Sequence, residues 1–104
     1  MTASKYHAVK VRDPEYGSFD SRKEYRHWLD LVLMERAGAI SDLERQVPYE
    51  LSVNGQHICR YVADFRFVRD GQVVVVDAKG VRTRDYVLKA KLMLAVHGIT
   101  IEEV

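Results

Sequence analysis

One cysteine, Cys59, stands among 104 residues, so no intrachain disulfide and no cysteine-rich zinc site can form. Proline is scarce at two residues and glycine at six, which excludes collagen-like and Gly/Pro-rich disordered chains. No apolar run approaches the roughly 20 residues of a membrane-spanning helix. The start, MTASKYHAVKVRD, lacks a hydrophobic signal core. Four histidines (His7, His27, His57, His97) are far apart and never at metal-binding spacing. Charge of one sign is also missing: 16 Lys plus Arg against 15 Asp plus Glu leave a formal +1. That balance argues against a highly basic protein coating DNA non-specifically, while leaving a local basic surface open. Together these absences lead us to expect a soluble, cytoplasmic protein.

What is present describes a folded unit. The chain is 47% hydrophobic and 30% charged, an ordinary composition for a packed domain, and its length suits a single core, so residues 1–104 form one expected domain. Residues 1–18 are polar and mixed, and read as an N-terminal arm or edge strand. A helix is expected over 21–37, capped by Asp20 or Ser21, with Tyr25, Trp28, Leu29, Val32 and Leu33 as its buried stripe and Gly38 as its stop. Residues 45–53 look extended, Pro48 marking an edge strand. Asn54-Gly55 and Asp70-Gly71 are hairpin signals bracketing a strand over 57–68. The run Val73-Val74-Val75-Val76, apolar on both faces, belongs mid-sheet with helices on each side. Thr83 can cap a second helix ending at His97, stopped by Gly98 before a short last strand. The expected fold is α/β: a small mixed sheet, centrally an antiparallel meander, flanked by two helices.

The second hairpin concentrates the chemistry. If Asp70-Gly71 forms a two-residue turn, Arg69 faces Gln72, and counting back along the ladder sets Asp64 opposite Asp77. Such cross-strand neighbours have Cβ atoms about 5 Å apart. Lys79 shares that face because strand side chains alternate. Like charges directly opposite destabilise a hairpin. A divalent cation offsets the repulsion, and converging carboxylate oxygens suit Mg²⁺. A lysine beside the metal can position or deprotonate water, or stabilise charge on a phosphorane. The plain alternative is a solvated charge cluster in which Lys79 bridges both acids. A slip of one residue in the register would put Asp77 on the opposite face from Asp64.

Asp64 followed by Asp77-Ala78-Lys79 resembles the Asp…(Asp/Glu)-x-Lys signature of the PD-(D/E)XK nuclease superfamily. Lys5-Tyr6, Phe19-Asp20-Ser21 with Glu24, Ile40-Ser-Asp-Leu with Gln46, Tyr61-x-Ala-Asp64-Phe65, Asp77-x-Lys79-Gly80 and Lys89 extend the resemblance to its small phage-associated, nuclease-like branch. Val62-Ala63-Asp64 departs from the Pro-Asp of the superfamily's name. The resemblance implies a restriction-endonuclease-like core. Asp64, Asp77 and the main-chain carbonyl of Ala78 would bind metal, Lys79 would be the catalytic lysine, and Glu24 would match an acid commonly added to the metal site. Gln46 and Lys89 are possible supports. Glu24 has a competing explanation, because Ser21-x-x-Glu24 also fits a capping box.

Over residues 79–91 the cations Lys79, Arg82, Arg84, Lys89 and Lys91 face only Asp85. The plain reading is a solvated helix face; the functional one is a phosphate-contacting strip, with Lys23 among the residues extending it. The leading expectation is therefore a Mg²⁺-dependent DNA endonuclease, with Mn²⁺ substituting. It would select branched DNA such as a Holliday junction, work as a homodimer, and act in a bacterial or phage-infected cytoplasm. The second is a non-catalytic nucleic-acid-binding or assembly module, and the third an RNA-directed or exonucleolytic enzyme.

Overall fold

A computed structural model describes residues 9–78 and 81–104. Its elements are β1 (Val11–Asp13), β2 (Gly17–Phe19), α1 (Arg22–Arg36), β3 (Ser41–Val53), β4 (Gln56–Arg69), β5 (Gln72–Asp77), α2 (Arg84–His97) and β6 (Glu102–Glu103). The main sheet runs β3-β4-β5-β6. Its first two pairings are antiparallel and β5–β6 is parallel, so the fold is the expected mixed α/β sandwich with Pro48 on an edge strand. No helix among the described residues is long and apolar enough to cross a membrane.

Turn chemistry sets the meander. Asn54 and Gly55 have φ of 51° and 80°, and Asp70 and Gly71 have 54° and 74°. Two successive left-handed residues make the hairpin turn whose twist matches that of its strands, which is why Asn-Gly and Asp-Gly serve. The second turn pairs Arg69 with Gln72 and carries the ladder to Phe65 and Val76. Asp64 and Asp77 are the next positions along it.

The N-terminal region differs from expectation. Residues 11–19 form neither a loose arm nor an edge strand of the main sheet. Instead β1 and β2 make a separate two-stranded sheet. Asp13 closes its turn, Oδ1 accepting from the backbone N–H groups of Glu15 (2.7 Å) and Tyr16 (2.9 Å), and Phe19 anchors the hairpin in the core. An Asp that caps its own turn lets a short hairpin form without a neighbouring strand.

The α1 stripe also shifts. Trp28 and Leu31 are buried, Tyr25, Leu29 and Val32 are half-buried, and Leu33 is 61% exposed. With 3.6 residues per turn, Leu33 lies about 140° around the helix from Trp28. Glu24, four residues before Trp28, falls within the buried stripe.

Two cores sandwich the sheet. Val74 and Val76 join Trp28, Leu31, Phe65 and Phe67 on the α1 side, while Val75 joins Tyr86, Met93, Tyr61 and Ala63 on the α2 side. Along β3 and β4 the odd-numbered residues are the better buried. Their partners nevertheless change, Leu43, Phe65 and Phe67 packing with α1, and Tyr49, Leu51, Tyr61 and Ala63 with α2. The change falls at the level of Gln46 and Asp64, where Gln46 adopts φ 55° within β3. A left-handed residue in a strand turns the following peptides and redirects their side chains. The sheet therefore changes its covering helix beside Asp64.

Candidate functional site

Glu24 starts on α1, whose N-cap is Ser21, its hydroxyl accepting from the Glu24 N–H at 3.1 Å. The cap does not consume the side chain: the backbone of Glu24 serves the cap while its carboxylate turns inward. That carboxylate is buried, with Arg45 at 3.5 Å and the Gln46 amide donating to it at 3.2 Å. Burial first, and then the charges of Asp64 and Asp20, push its pKa up, outweighing the opposite pull of Arg45.

Asp64 occupies the centre. Its Oδ2 accepts from the backbone N–H of Ala78 at 2.9 Å, tying β4 to the residue that follows β5. Its charge raises the pKa of Glu24, and also that of Tyr61, where burial and the bond to Asp77 are the larger causes. Asp77 is fully buried and accepts a hydrogen bond from the Tyr61 hydroxyl. Simple alternation from Asp64 would turn Tyr61 to the other face. The change of covering helix beside Asp64 is what brings the phenol to Asp77.

The structure therefore joins Glu24 to Gln46, couples both Glu24 and Tyr61 to Asp64, and binds Asp64 to the backbone at Ala78. It does not draw the three acids onto one point. Among the described residues no group of three His, Cys, Asp or Glu side chains is arranged to hold a metal ion. Lys79 lies outside the described residues. The donors present are all oxygens — carboxylates, the Gln46 amide and the Ala78 carbonyl — which is the chemistry a hard cation takes. Gln46 holds its place from a left-handed conformation, which costs a non-glycine residue roughly 1–2 kcal/mol.

The basic strip is less open than expected. Arg82 pairs with Glu103 at 3.1 Å and Lys89 with Asp85 at 3.2 Å. Arg84 and Lys91 are exposed along α2, and Lys23 is exposed on α1 next to Glu24. Lys89 lines a cavity of about 290 Å³ together with Tyr61 and Tyr86.

Arg45 and Tyr61 are the site residues that the sequence pattern did not mark as such. Arg45 donates to the carbonyls of Tyr16 (3.2 Å) and Ser18 (2.7 Å), and its guanidinium lies 3.8 Å from the Phe19 ring centroid. The N-terminal hairpin thereby holds the cation that faces Glu24. A cleft of about 170 Å³ opens beside them, lined by Ser18, Asp20, Glu24, Arg45 and Gln46. A signal for Tyr61 was its place three residues before Asp64; Arg45 carried none beyond its position next to Gln46.

Fold and site together define a small α/β domain with a row of acids where the central strands meet both helices. The chain belongs to the family described as "Protein of unknown function (DUF1064)", which matches residues 3–98. No curated protein matches it, and no solved structure does.

Proposed function

We propose that the chain is a metal-dependent DNA endonuclease of the PD-(D/E)XK type. One observation carries the reading: Asp64 is bonded to the backbone N–H of Ala78, next to the buried Asp77, and its charge also acts on the buried Glu24. A structural role alone gives little reason to gather acids beside the end of β5, because each buried carboxylate costs desolvation. When bound, Mg²⁺ neutralises such a row and lowers the pKa of a coordinated water.

Glu24, Asp64, Asp77 and the Ala78 carbonyl would hold the ion, which would have to draw together three acids that do not meet at one point without it. Gln46 and Arg45 orient Glu24, the Ala78 N–H fixes one oxygen of Asp64, and Tyr61 fixes one oxygen of Asp77. Lys79, two residues past Asp77, is the proposed proton-handling group. Hydrolysis adds a water oxygen to phosphorus and releases a sugar oxygen as an alcohol. A domain this small has little surface for base-by-base readout, which favours recognition of DNA shape or branching, by a homodimer when two strands are cut.

The test is cleavage of a four-way junction, a flap and plain duplex DNA with Mg²⁺ or Mn²⁺. Asp77→Ala and Lys79→Ala are expected to lower the rate at least about a hundredfold while circular dichroism stays unchanged. Cleavage at the wild-type rate by either variant removes the assignment. One observation favours the second reading, a non-catalytic DNA-binding module: Arg45 already supplies Glu24 with a counter-charge. Equal DNA binding in EDTA and Mg²⁺ without nicking would select that module.

A further inference from the structure

Beside Asp77 lies a feature that metal-dependent hydrolysis does not require. The cavity of about 290 Å³ has Tyr61 and Tyr86 in its wall, their ring centroids 6.4 Å apart. Val62 and Val81 extend the apolar wall, and both are more than two-fifths exposed. Arg60 and Lys89 stand in the lining as cations against Asp85 as the acid. Among the described residues both cations are committed to weak, at least partly exposed pairs, Arg60 to Glu50 at 2.7 Å and Lys89 to Asp85 at 3.2 Å. A phosphate can compete for such solvated pairs.

Size and chemistry narrow the occupant. The volume is at the small end of ligand pockets, which run from about 300 to 1,000 Å³, so it takes a single nucleotide and excludes a duplex. Tyr61 and Tyr86 are buried, so the exposed apolar wall is Val62 and Val81, which suits the flat face of a base, while the flanking cations suit its phosphate. A free phosphate alone would leave the valines uncovered. Position supplies the last element: Tyr61 lines the cavity and donates its hydroxyl to Asp77.

We infer that this cavity is a subsite for one unpaired nucleotide of the strand being processed, its base against Val62 and Val81 and its phosphate on Arg60 and Lys89. The inference rests on the endonuclease reading and names its substrate class: DNA with an unpaired nucleotide next to the point of cleavage, as at a flap or an open junction. Tyr61 then belongs to both sites, so seating the nucleotide acts on the hydroxyl that holds Asp77.

The probe is a fluorescent 5′-phosphorylated thymidine tetranucleotide, titrated in EDTA so that binding is read without catalysis. Val62→Glu and Lys89→Ala should each weaken it about tenfold or more, with blunt duplex binding changed by less than about twofold. Absence of tetranucleotide binding by the wild type overturns the subsite, as does wild-type affinity in Lys89→Ala, whose folding is checked by circular dichroism. Cleavage of the flap with Mg²⁺, measured on the same preparations, separates the two claims. Flap cleavage with tetranucleotide affinity unaffected by either substitution removes the subsite alone. The expected loss of affinity in both variants, with no cleavage by the wild type, keeps a nucleotide pocket and removes the nuclease.

Discussion

On the α1 side, Glu24 is buried against a guanidinium and an amide, Arg45 at 3.5 Å and Gln46 at 3.2 Å; on the α2 side, the fully buried Asp77 receives the hydroxyl of Tyr61. The two acids are handled by different chemistry. Glu24 is given a cation held from a distance by the β1–β2 hairpin, yet burial and the neighbouring charges of Asp64 and Asp20 still hold its pKa above the ordinary carboxylate range. Asp77 is given a neutral donor whose own pKa that contact and burial drive upward, so the phenol stays protonated and keeps donating. The lesson concerns Asp64. Its charge burdens Glu24 directly, and an added cation would relieve that burden.

The largest break in this comparison is expected from Arg45→Ala. It removes the cation facing a buried carboxylate along with the anchor of the hairpin, and should cost about 3 kcal/mol in urea unfolding. A loss below about 1 kcal/mol would mean that Glu24 is supported by other groups. Tyr61→Phe removes one hydrogen bond to a buried acid and should cost about 1.5–3 kcal/mol, read the same way, with the ring packing preserved.

Glu24→Gln sharpens the pH behaviour. The folded-state pKa of Glu24 is raised, so the folded protein holds that proton more tightly than the unfolded chain does. Its contribution to stability is fully present below the unfolded value and is lost as pH rises through the folded one. Relative to Glu24→Gln, the wild type should therefore lose stability as the pH rises above the unfolded value of about 4.3. A difference between the two proteins that is flat across that range contradicts the burial account. The smallest effect is the control: Arg66→Ala breaks an exposed pair with Glu44 at 2.9 Å and should change stability by less than about 1 kcal/mol.

Much of this arrangement was legible along the chain. Asn54-Gly55 and Asp70-Gly71 located both turns, Ser21, Thr83 and Gly98 located helix ends, and the four valines located the inner strand. Register followed from the second turn as far as Phe65 and Val76, one step short of Asp64 and Asp77. Glu24 could be read as buried because it lies four residues before Trp28. Leu33 could be misread for a related reason: a leucine near the stripe is apolar whichever way it points, and only the packing of Leu31 shows where the stripe runs.

The residues 1–104 by themselves determined the elements whose causes are local: two-residue turns with positive φ, caps formed by the next turn of backbone, and alternation along short strands. Tertiary structure decided which groups from distant elements meet. Arg45 reaches Glu24 across 21 positions and the hairpin carbonyls across 27 and 29, and no local preference encodes those distances. Tyr61 reaches Asp77 because β3 and β4 change their covering helix beside Gln46 and Asp64. Backbone turns are settled by a few dihedral angles, whereas the surroundings of a buried acid depend on every element packed against it.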